Sequence, residues 1–194
     1  MLQCPHEKKE AIFSGISLLT SRSGEELMKK KKIYLAGFDV FYTDALERLQ
    51  QKKELCEEYG FIGLTPLDNR VDFTQDRAKI RSDIYAGNVA LMQEADIFCV
   101  NLNAFRHGEP DAGTVFEVGY GCALGKEVYI YVDSTESMLD KTKRHDKECQ
   151  CEEGQWLDSN GLIIEDFDGM FNLMITESST IINGNLQTVL EQIK

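Results

Sequence analysis

Two carboxylates lie six residues apart in the segment GEPDAGTVFEVGYGCALGK, which runs from Gly108 to Lys126. Asp111 precedes a run of small and apolar residues that predicts a helix from about Thr114 to Leu124, and Glu117 falls inside that run. Both acids are therefore expected at the same end of the helix. An ionised carboxylate in a partly dry pocket can attack the anomeric carbon of a sugar and form a covalent glycosyl-enzyme.

Glu117 also admits a purely structural interpretation. Thr114 and Glu117 fit a capping box, in which the two side chains satisfy backbone N–H groups at the helix start and no catalysis is involved. Gly113 and Gly121, four residues to either side of Glu117, favour the chemical interpretation. An interior glycine costs a helix about 1 kcal/mol relative to alanine, which suggests that another group approaches the backbone there. The positive end of the helix dipole is expected to keep Glu117 ionised.

The elements around this segment predict a flavodoxin-like doubly wound sheet of about five parallel strands, with helices on both faces. Apolar runs alternate with helical patterns along the chain, which is typical of parallel sheets covered on both sides. The first four strands are predicted at 32–37, 61–67, 95–102 and 127–133, and helices at 43–59, 76–94 and 186–193. The polar segment 141–159 is interpreted as a long loop, and LIIEDF and STIIN as later strands.

In such a sheet, ligands bind beyond the carboxyl ends of the strands. That rule brings together three loops, namely Phe38–Tyr42, Pro66–Arg70 and Asn103–Gly113. The amino end of the helix that carries Glu117 faces the same crevice. The sequence therefore predicts one small-molecule site at this edge of the sheet.

Composition narrows the partners of this site. The net charge of −12 argues against nucleic acid, which requires a basic face. No stretch approaches the roughly 20 apolar residues of a membrane span. Cys99 and Cys122 lie in apolar segments, which indicates a reducing compartment and predicts a cytoplasmic protein. Cys149-x-Cys151 lacks a second ligand pair, so no metal site is predicted.

Residues 1–28 are interpreted as an N-terminal extension with little fixed structure, and residues 29–194 as the domain. The weakly apolar run from Ala11 to Leu19 leaves a targeting segment as an alternative for the extension.

Several short motifs resemble those of the nucleoside 2-deoxyribosyltransferases, and most closely those of the protozoan, trypanosome-like members. KIYLAG, PLDN, EPDAGTVFEVGYG and FNLM occur in the family's order and rough spacing, between about Lys32 and Ile175. The resemblance implies a flavodoxin-like fold and exchange of the base of a 2'-deoxynucleoside for a free purine or pyrimidine base. The reaction would pass through a deoxyribosyl-enzyme and would need neither cofactor nor metal.

The resemblance also implies roles for residues around the sugar. Glu117 would be the nucleophile, and Tyr34 would direct its phenol toward that carboxylate. Asp111 would hold sugar hydroxyls. Apart from the resemblance, the helical spacing around Glu117 predicts that Gly113, Tyr120 and Gly121 form the wall of the pocket beside the anomeric carbon.

Other positions are carried over to the rest of the substrate. Asn172 and the backbone of Met174 would reach the 5'-hydroxyl from a neighbouring subunit, which implies a homo-oligomer with shared active sites. Phe41, Asp68 and Asn69 would border the base pocket.

Asn88 stands where the bacterial members carry an aspartate that handles the proton of the base. An asparagine can hydrogen-bond a base but cannot act as a general acid. This asparagine leaves open which bases are accepted and how the leaving base gains its proton.

Two alternatives stay open beside base exchange. The first is an N-glycoside hydrolase of nucleosides or nucleoside 5'-monophosphates. The second is a non-catalytic nucleotide-binding module, in which Glu117 is only a cap.

Overall fold

The computed structural model describes residues 30–194, and in them a parallel five-stranded sheet forms the centre of the domain. Seven strands occur in this part of the chain: β1 (Lys32–Gly37), β2 (Ile62–Leu64), β3 (Ile97–Asn101), β4 (Glu127–Val132), β5 (Gln150–Glu152), β6 (Gln155–Leu157) and β7 (Thr180–Asn183). The sheet order is β2-β1-β3-β4-β7, and all four pairings are parallel. The flavodoxin-like prediction is confirmed.

Helices cover both faces of the sheet. They are α1 (Ala45–Glu58), α2 (Arg77–Glu94), α3 (Ala112–Ala123), α4 (Met138–His145), α5 (Leu173–Thr176) and α6 (Leu186–Ile193). Alternate residues of the central strands enter two separate cores, because successive side chains of a strand point to opposite faces. Ile33 and Leu35 pack in the core that α1 and α6 cover, whereas Tyr34 and Ala36 enter the core that contains α2 and α3.

The interpretation of 141–159 as a loop is wrong. This segment contains the end of α4 and the antiparallel hairpin β5–β6. Ser137 caps α4, since its Oγ accepts the N–H of Asp140 at 3.1 Å. Glu153 and Gly154 form the hairpin turn with positive φ angles of 49° and 84°. The segment is short and mostly solvent-facing, so it shows little of the apolar periodicity on which strand prediction depends.

The two later strand predictions have different outcomes. STIIN contains β7 and is confirmed, and the last helix occupies the predicted residues. LIIEDF is not a strand of the main sheet. Its Ile163 forms one isolated antiparallel bridge with Leu157, and Leu162 and Phe167 lie exposed.

The predicted N-terminal extension and the alternative targeting segment lie outside the described residues. Between residues 30 and 194, no helix is long and apolar enough to cross a membrane. The same residues contain no group of three or more His, Cys, Asp or Glu side chains arranged to hold a metal ion.

A buried polar link joins the loop after β1 to the end of β3. Asp39 is only 6% exposed, and its Oδ2 lies 2.5 Å from Nζ of Lys52 and accepts from Nδ2 of Asn101 at 3.0 Å. Burial lowers the pKa of Lys52, and the charge of Asp39 opposes that shift. A buried carboxylate needs such partners, so the link fixes the first loop against the third strand.

Candidate active site

Glu117 and Tyr34 form the centre of the candidate site. The Tyr34 side chain leaves the middle of β1, is fully buried, and donates its hydroxyl hydrogen to Oε1 of Glu117 at 2.6 Å. The strand therefore presents its phenol to the second turn of α3. This contact agrees with the role that the resemblance implies for Tyr34, and it leaves Oε2 of Glu117 outside the bond.

Burial changes the proton affinity of both groups. It raises the pKa of Glu117 to about 7, the hydrogen bond from Tyr34 lowers it, and the charge of Asp111 raises it further. The pKa of Tyr34 is raised far above its usual range, first by burial and then by Glu117. Tyr34 therefore remains a protonated donor at any physiological pH. Glu117 is divided between its neutral and ionised forms near pH 7.

The prediction that the helix start keeps Glu117 ionised is wrong. The helix α3 begins at Ala112, so Glu117 is its sixth residue and lies beyond the free N–H groups of the first turn. The dipole effect falls off within that turn. Desolvation therefore outweighs it and favours the neutral carboxyl.

The capping-box interpretation is also wrong. Asp111 is the N-cap of α3, and its Oδ2 accepts both the N–H and the hydroxyl hydrogen of Thr114 at 2.9 Å. Thr114 is buried inside the helix, and Glu117 bonds to Tyr34 instead of closing the cap. The N–H groups at the start of α3 are satisfied without Glu117, so capping does not explain why a half-buried carboxylate lies at this position.

The two glycines have different explanations. A Cβ on Gly121 would lie 3.0 Å from the ring of Phe98, so this glycine lets α3 pack closely on β3. A group does approach the backbone closely at Gly121, as expected, but that group is a core ring, so packing explains this glycine. Gly113 is exposed, and a Cβ there would lie 3.1 Å from Oδ2 of Asp111. Gly113 thus keeps the space beside the Asp111 carboxylate open.

An aromatic stack lies over the first and third loops. Phe41 is 56% exposed, and both it and Phe38 stack on Phe105 with ring centroids 5.2 Å apart. The guanidinium of Arg106 lies 4.7 Å from the Phe105 ring centroid and 5.7 Å from that of Phe41. The stack offers a flat apolar surface at the crevice, which agrees with the expected position of Phe41 beside a base.

The side chains of Asp68 and Asn69 form hydrogen bonds and an ion pair with neighbouring parts of the chain. Asp68 accepts the N–H of Thr65 at 2.9 Å and pairs with Lys53 at 2.7 Å. The Nδ2 of Asn69 donates to backbone carbonyls of α2 at 3.1 and 3.3 Å, and the side chain lies where a Cβ of Gly87 would be. These contacts fix the loop after β2 against α2. Any contact of the two side chains with a base stays a prediction.

Asn88 follows Gly87 on α2 and carries an unsatisfied acceptor. Its Oδ1 is buried and has no hydrogen-bond partner among residues 30–194. An unsatisfied buried polar atom costs about 1 to 3 kcal/mol, so such an atom requires an explanation. A donor on a bound base would supply one.

Asn172 and Met174 do not join Glu117 within one chain. Asn172 lines a cavity of about 810 Å³ together with Ala112 and Val115 of α3. Val115 lies two residues before Glu117, and side chains at that spacing point to nearly opposite sides of a helix. The helix α3 therefore separates Asn172 from the Glu117 carboxylate of its own chain. Met174 is 71% exposed on the same segment.

Comparison with known protein families identifies the family of this chain. Residues 33–174 match the model of the family described as nucleoside 2-deoxyribosyltransferase. The chain belongs to this family. The matched range includes Tyr34, Asp111, Glu117 and Asn172.

Solved and curated proteins are similar to the chain over most of its length. The chain is similar to a 2-deoxyribosyltransferase from Leishmania mexicana, with 27% identity, a TM-score of 0.63, and coverage of 83% of this chain and 97% of that one. A 2-deoxyribosyltransferase from Bacillus psychrosaccharolyticus has 20% identity and a TM-score of 0.53 over 82% and 90% of the two chains, and supports the fold. An uncharacterized protein of Schizosaccharomyces pombe is 28% identical over 172 residues, which are 81% of this chain and 80% of that protein.

Sequence reasoning missed two groups around the site. Phe105 belongs to the FR motif that the chain shares with the protozoan members, but the sequence assigned it no role, although its aromatic type and its place in the third loop were visible. Glu165 was also missed, and the structure shows it bound to Asn172. Seven residues separate these two, in a segment without regular structure, so no periodicity indicated the contact.

Proposed function

We propose that this protein exchanges the base of a 2'-deoxynucleoside, with Glu117 as the nucleophile. The observation that carries the proposal is the half-buried Glu117 carboxylate, which accepts the Tyr34 hydroxyl hydrogen at 2.6 Å and takes no part in capping α3. Membership of the family supports the same chemistry. A carboxylate whose pKa lies at about 7 is ionised in a large fraction of molecules near neutral pH and keeps more basicity than an ordinary glutamate.

In the first step, Oε2 of Glu117 attacks C1' of the sugar on the face opposite the base. The C1'–N bond breaks, its electron pair leaves with the base nitrogen, and an ester joins the deoxyribose to Glu117. The Tyr34 hydroxyl keeps its bond to Oε1, so the carboxylate does not rotate away from the anomeric carbon. In the second step, a nitrogen of the incoming base attacks C1', and the carboxylate leaves. Two inversions give net retention.

The departing base must gain a proton, and the incoming base must lose one. Asn88 can accept a hydrogen bond from a base through its unsatisfied Oδ1, but an amide transfers no proton. We therefore assign both proton transfers to water. Asn88 would hold the base in register with the aromatic surface formed by Phe41 and Phe105.

The charges of the site support a neutral substrate. The charge of Asp111 raises the pKa of Glu117, so the two carboxylates lie near each other. Two neighbouring carboxylates would repel a 5'-phosphate, so the deoxynucleoside is favoured over its monophosphate. A 2'-hydroxyl withdraws electron density from the oxocarbenium-like transition state, so deoxyribose is favoured over ribose.

Product analysis tests the proposed activity. Incubation with deoxyinosine and adenine should yield deoxyadenosine and hypoxanthine in equal amounts. Free 2-deoxyribose without any new nucleoside would establish the hydrolase alternative. Absence of turnover with every pair of deoxynucleoside and base would favour the second alternative, a non-catalytic nucleotide-binding module. Adenosine or deoxyadenosine 5'-monophosphate as the best substrate would also contradict the proposal.

We further propose that two copies of the chain build each active site. Asn172 lies across α3 from Glu117, so a second copy must supply it if it contacts the same substrate. The exposed residues Tyr85 and Phe116, whose ring centroids are 6.5 Å apart, form an apolar face on α2 and α3 next to Glu117. Exposed aromatic faces of this kind mark association sites.

Complementation between two impaired variants tests the shared site. An equal mixture of Glu117→Gln and Asn172→Ala, allowed to exchange subunits, should regain up to about a quarter of wild-type activity, since each mixed dimer has one intact site. Activity no greater than the average of the two variants alone would contradict the shared site. A monomer that is fully active in light scattering and kinetics would contradict it as well.

A further inference from the structure

The carboxylate of Glu165 accepts two hydrogen bonds from Asn172 and the residue after it. Oε2 of Glu165 accepts from Nδ2 of Asn172 at 2.6 Å, and Oε1 accepts from the backbone N–H of Leu173 at 2.6 Å. Asn172 also caps α5, because its Oδ1 accepts the N–H of Met174 at 3.0 Å. The two carboxylate oxygens thus hold the side chain and the backbone that follows it.

These partners determine which way the asparagine amide faces. The N–H of Met174 can only donate, so the atom opposite it must be the amide oxygen. The carboxylate of Glu165 can only accept, so the atom opposite it must be the amide nitrogen. One hydrogen on Nδ2 and one lone pair on Oδ1 remain for a substrate. A flip of the amide would face two donors toward each other and two acceptors toward each other.

Capping of α5 does not by itself explain the contact between Glu165 and Asn172. Asn172 is exposed, and an exposed asparagine N-cap functions without a carboxylate partner. Capping uses only Oδ1 of Asn172, so Nδ2 could donate to water. The charge-assisted hydrogen bond to Glu165 instead fixes Nδ2 in one direction. Glu165 and Asn172 are seven positions apart in the irregular segment between β6 and α5, so the contact closes this segment on itself just before the helix begins.

We infer that Glu165 is a positioning residue, which orients the Asn172 amide toward the 5'-hydroxyl of the deoxynucleoside. The inference rests on the proposed function and on the role proposed there for Asn172. Glu165 does not touch the substrate. It fixes the amide before the substrate arrives, so that binding does not have to order it.

The test pairs Glu165→Ala with two substrates, 2'-deoxyadenosine and 2',5'-dideoxyadenosine, in exchange with hypoxanthine. For 2'-deoxyadenosine, the variant should lose about tenfold in kcat/KM, the value of a charge-assisted hydrogen bond that orders a contact. For the substrate without a 5'-hydroxyl, wild type and variant should agree within about twofold. Asp166→Ala is the matched control, because Asp166 is the adjacent exposed carboxylate, and it should match wild type on both substrates.

The outcomes separate this inference from the proposed function. No base exchange by the wild type would refute the proposed function itself. Wild-type exchange that does not depend on the 5'-hydroxyl would refute the role of Asn172. A loss of equal size on both substrates would overturn the inference for Glu165, because a general structural defect does not depend on the 5'-hydroxyl. An unchanged kcat/KM in Glu165→Ala would overturn it too.

Discussion

Replacing Glu117 with glutamine should stabilise the folded protein at alkaline pH while it abolishes base exchange. Burial raises the pKa of this carboxyl from 4.5 to about 7. The shift is 7 − 4.5, or about 2.5 pKa units, and one unit corresponds to about 1.4 kcal/mol. Ionised Glu117 should therefore cost the folded state on the order of 3 kcal/mol.

The sign follows from proton binding. The folded protein holds this proton more tightly than the unfolded chain does. The stability that the proton contributes is complete below the unfolded pKa of 4.5 and is lost as pH rises through about 7. Glutamine does not titrate, and its Oε1 can still accept the hydroxyl hydrogen of Tyr34. The stability difference between Glu117→Gln and wild type should therefore grow by about 2 to 3 kcal/mol from pH 5 to pH 8.5.

Urea denaturation of both proteins at the two pH values measures this difference. Other titrating groups are shared, so they cancel when wild type is subtracted from the variant. Equal protein concentrations keep any contribution from association constant. A difference that is the same at both pH values would refute the reasoning, because it would mean that Glu117 titrates alike in the folded and unfolded states. If Glu117→Gln exchanged bases at pH 8.5 as fast as the wild type does, the assignment of Glu117 as the nucleophile would be refuted.

Four further substitutions test α3 and its contact with Tyr34 of β1. Tyr34→Phe removes the bond that lowers the pKa of Glu117, so the pH at which kcat/KM reaches half its maximum should move up, as a pH–rate profile would show. Asp111→Asn removes the charge that raises this pKa and keeps a capping oxygen, so the same midpoint should move down with little loss of stability. Gly121→Ala should destabilise the protein by about 1 to 3 kcal/mol in urea denaturation, because the new methyl meets a core ring at 3.0 Å. Gly119→Ala, with no atom within 4 Å, should instead be neutral or slightly stabilising.

The central sheet was predictable because its strands are buried on both faces. Continuous apolar runs such as Ile33–Ala36 and Ile97–Val100 can be recognised without tertiary information, and alternation with helices then limits the topology. The β5–β6 hairpin was not predictable, because its residues are mostly exposed and its turn depends on backbone angles at Glu153 and Gly154. Its stability comes from contacts that no local pattern shows.

Some features of the candidate site could also be predicted from the sequence, and others could not. The contact between the first and third loops followed from the topology. The pairing of Tyr34 with Glu117 was expected only from the resemblance, since the two lie 83 residues apart. The spacing of Thr114 and Glu117 favoured a capping box as strongly as a site. The structure excludes the capping box, because Asp111 caps the helix three residues before Thr114. The raised pKa of Glu117 depends on burial by distant elements and could not be obtained from its position in the helix.

Peptide mapping of a trapped intermediate tests the central claim most directly. A 2'-deoxy-2'-fluoro nucleoside slows both chemical steps, because the fluorine destabilises the oxocarbenium-like transition state, and a good leaving base restores the first step. Mass spectrometry of the digested enzyme should then find one fluorodeoxyribosyl group on the peptide that contains Glu117, and addition of a free base should release it as a nucleoside. An adduct on another residue, or an enzyme that exchanges bases at full rate without forming any adduct, would contradict the assignment of Glu117 as the nucleophile.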